Sequence, residues 1–440
     1  MATGSPTTAG AVRRWAMRPA LGTPALVVMA SPVLTYVLLR YERRTLLALA
    51  AATLVLLTVR SPATAVLLLI PAGLLGAAYT DASFAVLEPV VVVTLVMAFQ
   101  IVVGALPIRS SHLWVGLLAS LLLISSVFPS VTSGSPTDRF PDLTWMLAGL
   151  GLLAVTIASP PHPQRLARVT AWAGALAAAY VLADGDYANG RLEGFGFNPN
   201  YLGILLALPL VAAVGLGHRT RNPAWLAPAA VCLVAIAETQ SRGAFLAAAA
   251  GVSVVLVQGR PLRHQALILL SAVGIASALP SSLGVVENVA VGDRSSSELS
   301  YNSTVREHAA EFAARVAIEH PLRGIGFGMF PSYAAKSPRF GVHMATHNDY
   351  LRLAAEAGAA ALAAFLALLW LGTKGRRSRD LAILRAVVVS YMVGLLFGNS
   401  LANLVASTPF WLSLGCLLAA TPSRAGGHGD DASHISSTER

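Results

Sequence analysis

Three short polar stretches, set among long apolar runs, carry residue types that can do chemistry. They are RLEGFGFNPN (Arg191–Asn200), TQSRG (Thr239–Gly243) and HNDYL (His347–Leu351). Each opens onto an apolar run of helical length. The start of a helix directs free N–H groups and a partial positive charge outward, which favours an anion. Arg191 and Arg242, beside two such starts, make a clamp suited to a diphosphate, because a guanidinium meets phosphate oxygens bidentately. A nearby imidazole, that of His347, can take a proton from an attacking hydroxyl. Neighbouring arginines lower its pKa and keep it neutral, as a base requires. Asn198, Asn200, Asn348 and Tyr350 accompany these residues as substrate contacts; Asn198 and Asn200 read equally as helix caps.

A fourth polar stretch, EHPLRGIGFGMF (Glu319–Phe330), precedes the histidine motif. Gly324, Gly326 and Gly328 allow a tight backbone path close to a ligand. Ahead of it, Thr304-x-x-Glu307 has the pattern of a capping box. Val305, Ala309, Phe312, Ala313, Val316 and Ala317 then recur at helical spacing, with Arg306, Glu307, Glu311, Arg315 and Glu319 on the other face. Pro321 ends that helix. An amphipathic helix between two membrane spans lies most simply on the bilayer surface, where Arg306 is placed to touch substrate. Glu356 stands one helical turn from Arg352, and an i,i+4 pair there is structural.

The elements that position these residues are membrane helices. Of 440 residues, 55% are hydrophobic and 12% charged, about half the charge of a soluble domain. Continuous apolar runs without alternation exclude a β-barrel, and their number gives an all-α, polytopic bundle of roughly 12–14 helices with one extended extracytoplasmic helical loop. The net charge of +10 does not indicate nucleic acid, because the basic residues gather in short gaps between apolar runs. The basic gaps (Arg109, Pro161–Arg168, His218–Asn222, Gly259–His264, Lys374–Asp380) alternate with the gaps Thr80–Glu88, Pro129–Asp142, Gly185–Asn198 and Glu238–Arg242 and with the segment Val285–Asn348, and the last three of these carry the motifs. Positive charge marks the cytoplasmic side, so the motifs fall outside. Arg40, Arg43 and Arg44 break this alternation, unless one of Thr45–Val59 and Pro62–Tyr79 fails to span.

The expected organisation is a cytoplasmic tail (1–20), transmembrane helices (21–184), transmembrane helices with the arginine motifs (185–284), an extracytoplasmic loop subdomain (285–349), C-terminal transmembrane helices (350–420) and a disordered cytoplasmic tail (421–440). The apolar run after Arg13, Arg14 and Arg18 lacks a cleavage site and reads as a start-transfer helix. Cys232 and Cys416 lie inside apolar runs with no metal-ligand spacing.

The four polar stretches, in this order and between apolar runs, resemble the O-antigen ligase and polymerase superfamily of bacterial envelope proteins. The likeness covers about Asp184 to Phe397. It implies an inverting, metal-independent glycosyltransferase with no cofactor, in the cytoplasmic membrane. The donor is a glycan on a polyprenyl diphosphate, the acceptor a hydroxyl of another glycan or lipid. The family's two arginines fall on Arg191 and Arg242, its histidine on His347. One feature points elsewhere: Asp184-Gly185-Asp186 is the triplet with which metal-dependent glycosyltransferases hold a divalent ion, although a polar helix end reads the same way. The alternative function is a small-anion transporter of the same superfamily. A transporter calls for ionisable residues at mid-membrane, whereas the charge here collects at the ends of the runs.

Overall fold

The computed structural model describes residues 43–79, 84–106, 113–128, 136–257, 296–375 and 378–420. The expected tails, the start-transfer helix, the Gly259–His264 gap and the first part of the loop subdomain lie outside them. The chain divides into two compact units, 1–53 and 54–440. The first contributes the beginning of α1 (Arg43–Arg60) to the described residues.

Among the described residues the protein is helical, with fourteen α-helices and one short hairpin. Ser61 alone separates α1 from α2 (Pro62–Tyr79). Then come α3 (Phe84–Val102), α4 (Leu113–Val127) and α5 (Pro136–Ala158). A second group is α6 (Pro163–Asp184), the hairpin β1 (Asp186–Ala188) and β2 (Arg191–Glu193), α7 (Pro199–Thr220), α8 (Leu226–Thr239) and α9 (Arg242–Val257). The loop subdomain supplies α10 (Ser296–Glu319) and α11 (Phe330–Lys336). The chain closes with α12 (Asp349–Lys374), α13 (Ala382–Gly394) and α14 (Leu404–Ala419).

Four of these helices, in α5, α6, α7 and α12, are long and apolar enough to cross a membrane, and seven more are apolar but shorter. Side chains such as Leu95, Phe99, Leu117, Trp172 and Leu176 are exposed along helix flanks, as a multi-pass membrane protein requires where helices meet lipid. The core is centred on α7, buried nearly all round and packed by α6, α8, α9 and α13. Small residues let helices approach: a Cβ on Gly174 of α6 would stand 2.2 Å from the Pro209 ring of α7.

Connectivity fixes which ends coincide. The helices α6 to α9 alternate in direction, so Asp184, Pro199, Thr239 and Arg242 share one end. At the opposite end, Arg219 donates to the Arg379 carbonyl at 2.7 Å and pairs with Asp380, and Gln164 donates to Asp380 at 3.3 Å. This brings the start of α13 to the basic end and its last residue, Gly394, to the motif end. Asp349, heading α12, donates its backbone N–H to Leu395 at 2.8 Å and joins the motif end too.

Short-range signals set the helix starts. Asn198 Oδ1 accepts from the backbone of Asn200 (3.0 Å) and Tyr201 (3.2 Å), with Pro199 following at the first helical position. Asn348 does the same for α12, accepting from Tyr350 (3.0 Å) and Leu351 (3.1 Å). An Asn198→Ala change is expected to cost about 1 kcal/mol, while Asn198→Asp retains the cap; thermal melts of the purified variants in detergent would show the difference.

The loop helix departs from expectation at its start. Thr304 lies inside α10, which begins at Ser296, so Thr304-x-x-Glu307 is not its cap. Its predicted apolar face is the buried one: Phe312, Ala313 and Val316 form a small core with Ile325, Phe330, Ala334 and Ala355. That face is covered by α11, α12 and the glycine stretch, not laid on the bilayer. Pro321 follows the helix end as read from sequence.

Candidate active site

The first arginine sits on the hairpin. Asn189 (φ 52°) and Gly190 (φ 69°) form its two-residue turn, and both have the positive φ of a type I′ hairpin. An Asn–Gly pair is the sequence signal of such a hairpin, here set in an otherwise helical surrounding. The hairpin is sewn to the end of α8: Gln240 Nε2 donates to Gly190 O (3.0 Å) and Tyr187 Oη to Glu238 (3.3 Å). Arg191 is 7% exposed. Its Nε donates to Thr239 O at 2.9 Å and its Nη2 to Asn200 Oδ1 at 3.0 Å. One guanidinium thus joins the TQSRG motif to the head of α7, and Asn200 serves as its partner.

Arg242 is held differently. Gln240, left-handed at φ 49°, stops α8, and α9 begins two residues later. The corner leaves Arg242 exposed at the first position of α9, with no hydrogen bond or ion pair among the described residues. A buried arginine fixed by neutral oxygens and an exposed one at a helix start therefore occupy the same end of the bundle.

His347 is half-buried, with a left-handed backbone at φ 52°. A non-glycine residue there is strained and must be held in place. Thr346 Oγ1 does this from one side, donating to Asn399 Oδ1 (2.9 Å) beside the Asn348 carbonyl (3.1 Å), while the Asn348 cap fixes the other. Burial, with the positive charge of Arg306 second, pushes the His347 pKa down to about 4. The imidazole is neutral at physiological pH, and Arg306 on α10 is its electrostatic neighbour.

The element that gathers the motifs was not legible in sequence. It is the turn 395–403, which includes the 3₁₀ segment Ser400–Ala402. Besides the Asp349–Leu395 bond, the Leu401 N–H donates to Asp349 Oδ2 at 2.8 Å. A Cβ on Gly243 would lie 2.6 Å from Phe397, and one on Gly398 would touch Ile204 and Tyr201. The turn thus reaches the first turns of α7, α9 and α12. Helix α13 has 13 residues, a rise of roughly 20 Å against the ~30 Å of a bilayer core. The turn is therefore set into the bundle, with Ser400 and Leu401 buried, and non-helical backbone at such depth must line a cavity or be enclosed by protein.

A buried ionic network braces α12. Arg352 pairs with Asp142 of α5, and its Nε donates to Glu356 at 2.8 Å. Glu356, its side chain 1% exposed, also accepts from the backbone N–H of Gly328 and Phe330, each at 2.9 Å. The i,i+4 pair anticipated from sequence is present, and the glycine stretch takes its tight path along α12. Gly324 (φ 59°) and Gly326 (φ 105°) lie against the α12 backbone: Gly326 N donates to Glu356 O at 2.7 Å, and a Cβ on Gly324 would stand 2.3 Å from Glu356 C. Tyr350 likewise turns inward, its hydroxyl donating to Met392 O at 2.9 Å.

Asp142, Trp145, Tyr201, Thr346, Asn399 and Asn403 are among the residues lining a cavity of about 280 Å3. Asp184 and Asp186 lie apart from this network, exposed where α6 gives way to β1, with Asp186 cross-strand from Glu193.

Comparison with known proteins bears on part of the chain. Residues 227–366 match the family model described as O-antigen ligase (Wzy_C). The match takes in Arg242, Arg306, the glycine stretch and His347, and leaves Arg191 and the turn 395–403 outside. No curated protein matches the chain.

Proposed function

We propose that the chain transfers a glycan from a polyprenyl-diphosphate carrier to a hydroxyl acceptor, a reading that starts from the match of residues 227–366 to the O-antigen ligase family model. The observation that carries this reading is the turn 395–403, which draws the heads of α7, α9 and α12 together with Arg191, Arg242 and His347. Arg242, exposed and uncommitted, takes the diphosphate with the α9 N-terminus. Arg191 holds the motif in register and adds positive charge. The acceptor hydroxyl attacks the anomeric carbon, the bond to the diphosphate oxygen breaks, and the configuration inverts in a single displacement. The arginines stabilise the charge left on the polyprenyl diphosphate, so the reaction calls on no metal. His347 accepts the hydroxyl proton.

An imidazole with a pKa of about 4 is a weak base, and the donor itself corrects this. A diphosphate brought near Arg306 offsets that positive charge and raises the pKa toward neutrality. Protonation removes the base, so activity falls as pH drops through each limb. The acid limb of kcat/KM, which reports the free enzyme, is expected near pH 4, and that of kcat, which reports the loaded one, higher. Arg306→Ala should move the kcat/KM limb upward, but only part of the way to 6.5, because burial is the larger cause. A limb unmoved by Arg306→Ala would remove Arg306 from the site.

The basic end, with Arg219, Lys374 and Arg379, faces the cytoplasm in this proposal and the motif end faces outward across the cytoplasmic membrane. The test uses purified protein in lipid nanodiscs with a polyprenyl-diphosphate oligosaccharide and an acceptor extract. Release of free polyprenyl diphosphate that survives EDTA supports the reading, and product length separates a ligase from a polymerase. Release abolished by EDTA would direct attention to Asp184 and Asp186. Uptake of small anions without release would favour the transporter.

A further inference from the structure

We infer that the cavity beside His347 is a subsite for one neutral sugar ring, an assignment that rests on the transferase reading for its biological role but not for its test. Its walls join the two halves of the site. Tyr201 follows Asn200, the partner of Arg191, while Ala345 and Thr346 lead into His347. At about 280 Å3 it falls just below the range of drug-sized ligand pockets, roughly 300–1,000 Å3, which suits a single ring better than an oligosaccharide.

Charge decides against the diphosphate as occupant. Arg352 enters the cavity already paired with Asp142 and Glu356, so the two carboxylates outnumber the one cation and repel an anion. What remains is the donor and acceptor set of a saccharide site. Trp145 supplies an aromatic wall for the apolar face of a ring. Asp142 Oδ2 binds Arg352, leaving Oδ1 as an acceptor. Asn399 and Asn403 use Oδ1 within the protein, toward Thr346 and the Ala406 N–H, and leave each Nδ2 as a donor. Hydroxyl groups both donate and accept, so they satisfy both kinds of group. Asp142 is also reachable, its side chain 32% exposed.

The probe is a set of methyl hexopyranosides titrated against the full-length protein in nanodiscs, read by tryptophan fluorescence. Trp145→Phe identifies the reporting residue. Asn403→Asp is the discriminating variant, because aspartate keeps the cap on α14 while removing the amide donor. Loss of one neutral hydrogen bond weakens binding by roughly 3–10-fold, and that is the expected shift. In the transfer assay the same variant raises KM for the acceptor if the ring belongs to the acceptor, or for the donor if it belongs to the donor. A 3–10-fold change in saccharide affinity or in either KM supports the subsite, even if transfer proves to be another reaction. Saccharide binding and both KM values that stay within about twofold would overturn it, even with transfer intact.

Discussion

Arg242→Ala lowers the rate of polyprenyl diphosphate release by roughly 10²–10³-fold, the usual cost of removing one preorganised group from a developing negative charge, and leaves the melting temperature unchanged. Both halves follow from its setting. Arg242 is exposed and uncommitted within the described structure, so truncation breaks no packing. It stands at the first position of α9, where its charge adds to that of the helix start. Lysine restores the charge but not the bidentate fork, so Arg242→Lys should recover only part of the rate. Arg191→Ala gives a contrasting result, because its guanidinium bonds to Thr239 O and Asn200 Oδ1, and the variant loses stability along with activity. His347→Ala, which removes the proton acceptor, is expected to cost about 10²–10⁴-fold. Release rates and melts measured on the same preparations separate these cases. An Arg242→Ala protein within threefold of wild type would take the diphosphate clamp away from this residue.

Glu356→Ala destabilises the protein by about 3–5 kcal/mol, the range for breaking a buried ion pair from one side. The loss has two parts. Arg352, with a side chain 8% exposed, keeps its charge and loses one of its two carboxylates. The N–H groups of Gly328 and Phe330 lose their acceptor, and buried donors without partners are costly in themselves. Glu356→Gln keeps the shape and an acceptor oxygen, and should fall between. Helix α12 is non-helical at Gly358 (φ 84°), where a Cβ would meet Leu322 O at 2.4 Å. Glu356 thus fastens the glycine stretch at the point where the helix is interrupted, and losing it frees the loop subdomain as well as α12. Thermal melts with protease sensitivity of residues 319–336 would show this, and a Glu356→Ala melt within about 1 kcal/mol of wild type would refute it.

The sequence by itself determined the class of protein and the starts of its key helices. The charge content and continuous apolar runs required a membrane bundle. The cap at Asn198, which the sequence offers equally as a substrate contact, the end of α10 before Pro321, its Phe312–Val316 face and the Arg352–Glu356 pair all span four residues or fewer. Within that distance a side chain meets its neighbours by helix geometry alone, so spacing was enough. Thr304-x-x-Glu307 marks the limit of such signals: an N-cap pattern is ignored when the helix is already propagating from Ser296, because only a helix start has N–H groups to satisfy.

The tertiary structure decided what the polar residues face. Asp142 and Arg352 are 210 positions apart, and Thr346 and Asn399 are 53 apart; no local rule pairs them. The turn 395–403 carries no local pattern that marks it, and only helix lengths and packing reveal it as the junction of three motifs. Gly324 and Gly326 were legible as a tight path but not as a path against α12, because a positive φ admits a ligand or a neighbouring backbone equally well. Local hydrogen bonding fixed where helices begin, and the long-range burial of a few charged and amide groups fixed which of those beginnings meet.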